Sequence, residues 1–342
     1  MPPSSSAKLP ESPAGPPHRQ RRGAWAAPLL ALALVAAACG FAFWRYGAPG
    51  PLPAARAVVI PAGTTLEVAR ALADAGVIQA PRLFALAALA TVREGPLHAA
   101  ELRFPAHASF ATVLAVLRTA PPVEHRVTIP EGLTAQQIEA LLDRAPALKG
   151  PADLPEEGWV LPATYNYLYG TTRASIIARA HAALLRTLAT LWDGRDAHLP
   201  FATKDDALIL ASIVERETAI PAERPRIAAV FLNRLKLGMR LQADPTVIYA
   251  VSDGAGVLKR PLRPADLAIA SPYNTYRVAG LPPGPIDAPG IAAITAVLHP
   301  APSAALYFVA DGLGGHAFAR TLSGQEHNIA IWQQRVHDEA QH

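Results

Sequence analysis

The sequence is poor in sulfur-containing residues. Its 342 residues include one cysteine and two methionines. A single cysteine excludes an intramolecular disulfide and a cysteine-based zinc site. The chain also lacks His-Glu-x-x-His, Gly-x-Ser-x-Gly and a phosphate-binding glycine loop. We therefore expect no metal ion and no cofactor, and neither a metalloprotease nor a serine hydrolase is supported.

Charge is also scarce, at 17% of residues, and aromatic residues make up 6%. The net charge is only +4, and several of the excess arginines lie within the first 22 residues. No basic stripe interleaved with aromatics appears, so nucleic acid is not an expected partner. The 51% hydrophobic content suits about two folded domains rather than a disordered chain.

An uncharged run from Gly23 to Trp44 follows a segment rich in proline, serine and arginine. About 22 residues at a rise of 1.5 Å span the roughly 30 Å core of a bilayer. We predict a cytoplasmic disordered tail over residues 1–23 and a transmembrane helix over 24–44, with the remainder across the membrane by the positive-inside rule. Two alternatives stay open at this stage: a signal peptide cleaved near Ala36–Ala38, and a lipid-modified Cys39.

The remaining chain divides into three segments that differ in composition and in their pattern of apolar residues. Prolines at 49, 51 and 53 predict a stiff linker over 45–56. Residues 57–155 contain two copies of a strand, a Pro-x-Gly turn and a helix, which predicts a small α/β module. Residues 156–336 are mostly helical, with helices predicted over 176–191, 207–218, 228–237 and 326–336, and a β-hairpin over 306–318. The predicted fold class is α+β.

Glu215 and Glu217 interrupt an almost wholly apolar helical run. Residues two apart point about 200° apart on a helix, so the two carboxylates cannot share one cleft. Glu217 follows Ile213 and Val214 by one turn, and apolar neighbours raise the pKa of a carboxyl group. One of the two is therefore a candidate general acid, while the alternative is that both are structural ion pairs with nearby arginines.

Loops rich in proline, aromatic and amide residues suit the binding of a sugar chain. They run from Ser271 to Tyr276 and from Gly280 to Ile286. Asp244 stands before a proline, where capping of the next helix is the simpler interpretation. The segment Asp311–Gly315 is expected to be a hairpin turn rather than a phosphate cradle.

Six ordered blocks together resemble the endolytic murein transglycosylases, a YceG-like family of membrane-anchored lytic transglycosylases. The resemblance covers about residues 57–336, and two departures are Ala163 where an aspartate is expected and Ala243 where threonine is usual. The blocks are Ala211–Thr218, Val230–Leu235, Met239–Tyr249, Ser271–Tyr276, Gly280–Ile286 and Leu306–His316.

The resemblance implies an inner-membrane lyase with a periplasmic catalytic domain and a LysM-like module. It implies cleavage between N-acetylmuramic acid and N-acetylglucosamine in nascent strands, which leaves 1,6-anhydro ends. The family's members resemble lysozyme-like transglycosylases, whose catalytic glutamate precedes a serine or threonine. Since Glu217 precedes Thr218, Glu217 is the expected acid and base, with Glu215 and Arg234 in support. Peptidoglycan strands are the expected partner, with peptidoglycan synthases as further candidates. The expected substrate-binding residues are Gln242, Asp244, Tyr273 and Asn274.

Two other interpretations remain open from the sequence. One is a muramidase that uses Glu217 and Asp244 as two carboxylates and hydrolyses the strand. The other is a membrane-anchored protein that binds peptidoglycan, or acts as a scaffold of the elongation machinery, without catalysis.

Overall fold

The structure is a computed structural model that describes residues 26–339. The predicted tail over residues 1–23 lies outside the described residues. Helices and small two-stranded sheets make up the described chain, which confirms the α+β fold class. Contacts divide the chain into two units, one ending at Pro121 and one beginning at Pro122.

The first unit contains an apolar helix followed by a small α/β fold. The first helix is long and apolar enough to cross a membrane, and none of its apolar window is buried. Strands β1 and β2 pair antiparallel, with Val58 opposite Leu102. The LysM-like character of this unit stays a prediction. The elements are α1 (Ala26–Gly47), β1 (Arg56–Val59), α2 (Thr65–Asp74), α3 (Pro81–Ala90), β2 (Glu101–Phe104) and α4 (Phe110–Thr119).

Local signals position α2 as the sequence indicates. Thr64 accepts a hydrogen bond from the backbone N–H of Glu67 at 3.3 Å, and the Glu67 carboxylate accepts one from the Thr64 N–H at 2.7 Å. This reciprocal cap satisfies two of the N–H groups that a helix start leaves unpaired. The buried face of α2 presents Val68, Ala69 and Leu72 to the core of the unit.

The predicted linker is packed rather than free. Leu52 is 4% exposed and belongs to the core of the first unit. The N–H of Gly50 donates to the carbonyl of His107 at 3.1 Å. A Cβ at Gly50 would lie 2.2 Å from the Ala108 carbonyl oxygen, so only glycine fits this approach. The segment is thus part of the first unit.

The second copy of the strand, turn and helix belongs to the second unit. Its strand, β3 (Glu124–Thr128), pairs antiparallel with β4 (Thr164–Leu168), with Val127 opposite Tyr165. The first unit therefore ends at Pro121, and the predicted module boundary at residue 155 differs from the structure. Sequence repetition could not show this, because the pairing partner of β3 lies beyond the repeat.

The second unit is built around one buried helix, α7. Eight consecutive residues of α7, from Ala207 to Val214, are buried. Its neighbours are α6, α8, α9 and α10. The predicted hairpin is confirmed as the antiparallel pair β5 and β6. In its turn, the Asp311 carboxylate accepts hydrogen bonds from the N–H groups of Leu313 and Gly315. The elements are β3 (Glu124–Thr128), α5 (Ala135–Arg144), β4 (Thr164–Leu168), α6 (Arg173–Asp193), α7 (Lys204–Glu217), α8 (Arg224–Lys236), α9 (Asp244–Val251), α10 (Ile291–Leu298), β5 (Tyr307–Ala310), β6 (His316–Ala319) and α11 (Leu322–Glu339).

Candidate active site

Glu217 is the last residue of α7, and local contacts at both ends fix where this helix begins and ends. Thr203 caps the first turn, where its hydroxyl accepts from the Asp206 N–H at 3.1 Å. Thr218 is extended, with φ −146° and ψ 135°, and this ends the helix. A carboxylate at a helix C-terminus faces the unpaired carbonyl groups of the last turn, which disfavours its charged form. The site residue thus lies where the helix itself opposes ionisation.

Glu215 is held as a structural ion pair. Its side chain is 5% exposed, and Oε1 lies 2.8 Å from Nη2 of Arg224. The backbone N–H of Gly290 donates to Oε2 at 3.0 Å. Burial raises the pKa of Glu215 despite these contacts. Both carboxylate oxygens are therefore engaged, which leaves this side chain poorly suited to proton transfer with a substrate.

Glu217 differs from Glu215 in the partners of its carboxyl group. Burial raises its pKa to about 8, the Asp244 carboxylate adds to the rise, and the Arg234 guanidinium opposes it. Over residues 26–339, no hydrogen bond to the Glu217 carboxyl group is present. A carboxyl group with a pKa near 8 is about nine-tenths protonated at pH 7. Glu217 can therefore act as a proton donor at neutral pH.

Arg234 of α8 provides the positive charge of the site. It is 7% exposed, and its guanidinium lies 5.2 Å from the centroid of the Tyr307 ring. Nε donates to the Leu306 carbonyl at 2.7 Å, and Nη1 donates to the Leu241 carbonyl at 2.7 Å. Nη1 also lies 3.3 Å from Oε1 of Gln242. These bonds fix a cation beside Glu217 and tie it to the segment that carries Gln242.

The Asp244 carboxylate raises the pKa of Glu217, and Tyr276 holds Asp244 in place. The Tyr276 hydroxyl donates to Oδ1 of Asp244 at 2.6 Å. Burial raises the pKa of Tyr276, and the hydrogen bond to Asp244 adds to this rise. The helix-capping interpretation of Asp244 differs from the structure, since the α9 cap is Ala243 and no side chain caps it.

The other two predicted sugar-binding residues, Tyr273 and Asn274, lie in the same loop as Tyr276. Asn274 is fully buried, and its Nδ2 donates to the Leu267 and Ile269 carbonyls at 3.0 and 2.9 Å. These bonds hold the loop, and contact of Asn274 with a sugar stays a prediction. The Tyr273 ring packs against Tyr249, with centroids 4.9 Å apart.

Two further acidic residues, Glu157 and Asp287, have raised pKa values, and the first of them bonds to Tyr249. The Tyr249 hydroxyl donates to Oε2 of Glu157 at 3.2 Å, and burial raises the pKa of Glu157 to about 7. Asp287 is fully buried, and neither of its carboxylate oxygens has a hydrogen-bond partner among the described residues. Burial raises the pKa of Asp287 well above its ordinary range. A neutral, protonated Asp287 fits this environment.

A further contact fixes the residue after Glu217. The Thr218 hydroxyl donates to Oε2 of Glu223 at 3.3 Å, and the same oxygen lies 2.6 Å from Nδ1 of His316. The His316 N–H donates to Oε1 at 2.9 Å. Burial would raise the pKa of Glu223, but the hydrogen bonds with His316 outweigh it and the pKa falls. The β5–β6 hairpin is thereby tied to the end of α7.

Sequence reasoning singled out Glu217, Glu215, Arg234 and Asp244, and the structure brings their segments together. It missed Tyr276 as an individual site residue, although the block Ser271–Tyr276 contains it. The hydrogen bond from Tyr276 to Asp244 joins residues 32 apart in sequence. No local pattern predicts such a pairing, so only the fold could show it.

A carboxyl group of raised pKa beside a fixed arginine is typical of a general acid–base site. The YceG-like family matches residues 58–331 of the chain. The chain therefore belongs to the YceG-like family.

Relatives and a solved structure agree with this assignment. The chain is 39% identical over 176 residues to the Bacillus subtilis endolytic murein transglycosylase, which covers 52% of this chain and 47% of that one. It is 35% identical over 193 residues to the Streptococcus pneumoniae endolytic murein transglycosylase, covering 56% of this chain and 34% of that one. The chain thus matches about half or less of the length of these relatives. A crystal structure of a YceG-like protein from Listeria monocytogenes is 28% identical, with a TM-score of 0.51, over 80% of this chain and 98% of that one.

Proposed function

We propose that the protein is an endolytic peptidoglycan lytic transglycosylase, a lyase that cuts nascent glycan strands internally. The observation that carries this proposal is Glu217, whose pKa of about 8 leaves a proton available at neutral pH. The family and the names of the relatives support the substrate class. The bond cleaved is the one between N-acetylmuramic acid and N-acetylglucosamine.

One carboxyl group is sufficient for both steps of this reaction. Glu217 donates its proton to the glycosidic oxygen, and the bond from that oxygen to the anomeric carbon breaks. The resulting Glu217 carboxylate accepts the proton of the C6 hydroxyl as O6 bonds to the anomeric carbon. The strand ends in 1,6-anhydromuramic acid, no water is consumed, and the acid is regenerated.

Arg234 and Asp244 have separate roles in this proposal. Arg234 stabilises the negative charge that Glu217 carries after it has donated its proton. Asp244 raises the pKa of Glu217 in the resting state. Gln242 is exposed and adjoins Arg234, which makes it the best-placed amide for a sugar hydroxyl.

A hydrolytic muramidase is the second candidate, because Asp244 supplies another carboxylate near Glu217. One of its oxygens already accepts from Tyr276, so it is the less prepared nucleophile or base. The products separate the two reactions, since hydrolysis leaves a reducing muramic acid end.

The test is mass spectrometry of glycan strands after incubation with the wild-type protein, Glu217→Gln and Glu215→Gln. Anhydro ends that disappear in Glu217→Gln support the proposal. Glu215→Gln is the control, because it changes the neighbouring carboxylate that is held in the ion pair with Arg224. Reducing ends would favour the muramidase, and uncleaved competent strands would favour the non-catalytic binding protein.

We also propose that α1 anchors the protein in the inner membrane, with the catalytic unit in the periplasm. Its 22 residues extend about 33 Å, close to the thickness of a bilayer core. A tether of this kind raises the local concentration of the site near new strands at the membrane. Peptidoglycan synthases, which make those strands, are the proposed protein partners.

The orientation can be tested with single-cysteine variants in a Cys39→Ser background. A membrane-impermeant maleimide added to spheroplasts should label Ser323→Cys and spare Ser5→Cys. The reverse labelling pattern would place the catalytic unit in the cytoplasm.

A further inference from the structure

A polar cavity of about 430 Å³ borders the candidate active site. Tyr276 belongs to both, because it lines the cavity and its hydroxyl donates to Asp244. The backbone of Arg240 supplies a second link, since its carbonyl accepts from Nη1 of Arg234 at 3.3 Å. The cavity is lined by Arg240, Pro264, Leu267, Ala268, Tyr276 and Arg277.

Two exposed arginines give this cavity its charge. Nη1 of Arg240 donates to the Tyr276 carbonyl at 3.2 Å, and Nη1 of Arg277 donates to the Ala268 carbonyl at 3.3 Å. Within the described part of the chain, neither guanidinium pairs with a carboxylate. Each therefore retains donors that can bind a planar anion, for which the guanidinium geometry is well suited.

The contrast with Arg260 shows that this loop can neutralise an arginine. Arg260 forms a bidentate ion pair with Asp266, at 2.6 and 2.8 Å. Among the described residues, Arg240 and Arg277 have no such carboxylate partner, although both line the cavity. Two cations that face one cavity repel each other, and a bound anion relieves that repulsion.

We propose that this cavity binds a carboxylate of the peptide attached to the muramic acid next to the scissile bond. The inference rests on the proposed function, because it assigns the cavity to the same substrate. The peptide branches from the sugar adjacent to the bond, so its carboxylates fall beside the site of cleavage. The anionic pyrophosphate at the end of a growing strand shares this chemistry, but it occurs once per strand and not at each muramic acid.

The test is a binding measurement with the full chain carrying Glu217→Gln, so that cleavage plays no part. Isothermal titration calorimetry compares a glycan fragment with free peptide carboxylates and the same fragment with those carboxylates amidated. Free carboxylates should bind about fivefold more tightly, the upper end for one exposed ion pair. Adding Arg277→Gln or Arg240→Gln should remove this difference, and added salt should reduce it.

Arg320→Gln is the matched control, because it removes one exposed arginine that does not line the cavity. Arg277→Glu gives a second variant, which should bind the amidated fragment better than the free one. Equal binding of the free and amidated fragments would overturn the proposal, as would an equal loss in Arg320→Gln. Inorganic pyrophosphate is the third probe. Binding of pyrophosphate that needs both arginines, without a preference for free carboxylates, would assign the cavity to the strand end instead.

Failure of this inference is distinguishable from failure of the proposed function. Cleavage products of the wild-type protein report the function, whereas the titrations report the cavity. A protein that cuts strands but ignores amidation would keep its function and lose this subsite.

Discussion

Replacement of Glu217 by glutamine should stabilise the second unit at alkaline pH. The pKa of Glu217 is about 8 in the folded protein, against an ordinary value of 4.5. Between these values the folded state holds a proton that the unfolded state releases. The stability that this proton contributes is fully present below pH 4.5 and is lost as the pH rises through 8. Glutamine has no such charge to bury, so its free energy of unfolding should not show this loss.

The pKa values set the size of the effect. A rise of about 3.5 pKa units corresponds to an upper limit of about 5 kcal/mol at pH 9, at 1.36 kcal/mol per unit. Glu217 keeps part of its surface exposed, and water can enter when the carboxylate forms. We therefore expect the variant to gain about 2 kcal/mol over the wild type between pH 5 and pH 9.

The measurement is chemical denaturation of the full chain in detergent at several pH values, followed by tryptophan fluorescence. Trp159 and Trp192 report the second unit. Glu157 and Asp287 also titrate abnormally, but they are present in both proteins and cancel in the difference. Equal stability changes in the two proteins from pH 5 to pH 9 would refute the assignment of a buried proton to Glu217.

Glu215→Gln is the matched control for this experiment. It removes the 2.8 Å partner of Arg224, whose side chain is 11% exposed, and leaves this buried cation only the Glu131 carboxylate at 3.9 Å. Its loss of stability should therefore appear across the pH range. A gain at alkaline pH in Glu215→Gln, rather than in Glu217→Gln, would exchange the roles of the two glutamates.

The remaining predictions concern Asp244, which raises the pKa of Glu217, and Gly158, which packs against Pro285. Asp244→Asn removes a charge that raises the pKa of Glu217, so the alkaline limb of kcat/KM should move down by about one pH unit. Tyr276→Phe keeps that charge and should leave the limb near pH 8; an unchanged limb in Asp244→Asn would contradict the electrostatic reasoning. Gly158→Ala should destabilise the second unit by about 2 kcal/mol or more, because φ is +78° and a Cβ would lie 2.4 Å from Cβ of Pro285. Calorimetric melting checks this value, and an unchanged melting temperature would show that the loop can shift at little cost.

The sequence could predict what depends on neighbours along the chain. Ile213 and Val214 predict a raised pKa for Glu217, and burial in the fold raises that pKa in the same direction. The structural ion-pair interpretation holds for Glu215, which pairs with Arg224 nine residues on. It does not extend to Arg216, whose guanidinium donates to backbone carbonyls instead.

The features that sequence analysis missed depend on distant segments. Glu157 has no role in the sequence analysis, yet its carboxylate accepts from the Ala135 N–H and the Tyr249 hydroxyl, 22 and 92 residues away. The pKa of Asp287 depends on burial, which its flanking proline-rich loop does not indicate. Burial of a polar side chain in a loop depends on which elements close over it, and no helical or strand periodicity records that.

The spacing of the two glutamates explains how one carboxyl group can be left ready for catalysis. Arg224 and the Gly290 N–H hold Glu215 on one side of the last turn of α7. Because side chains two residues apart diverge by about 200°, fixing Glu215 also fixes the direction of Glu217. Thr218 then leaves the helix and is secured by Glu223, so the turn cannot rotate to exchange the two carboxylates. On this argument the ion pair of Glu215 is a positioning device, and its loss should lower kcat even where the pKa of Glu217 is unchanged. A pH profile of Glu215→Gln with a normal alkaline limb and a reduced plateau would support it, whereas a full plateau would show that the helix end holds Glu217 without this anchor.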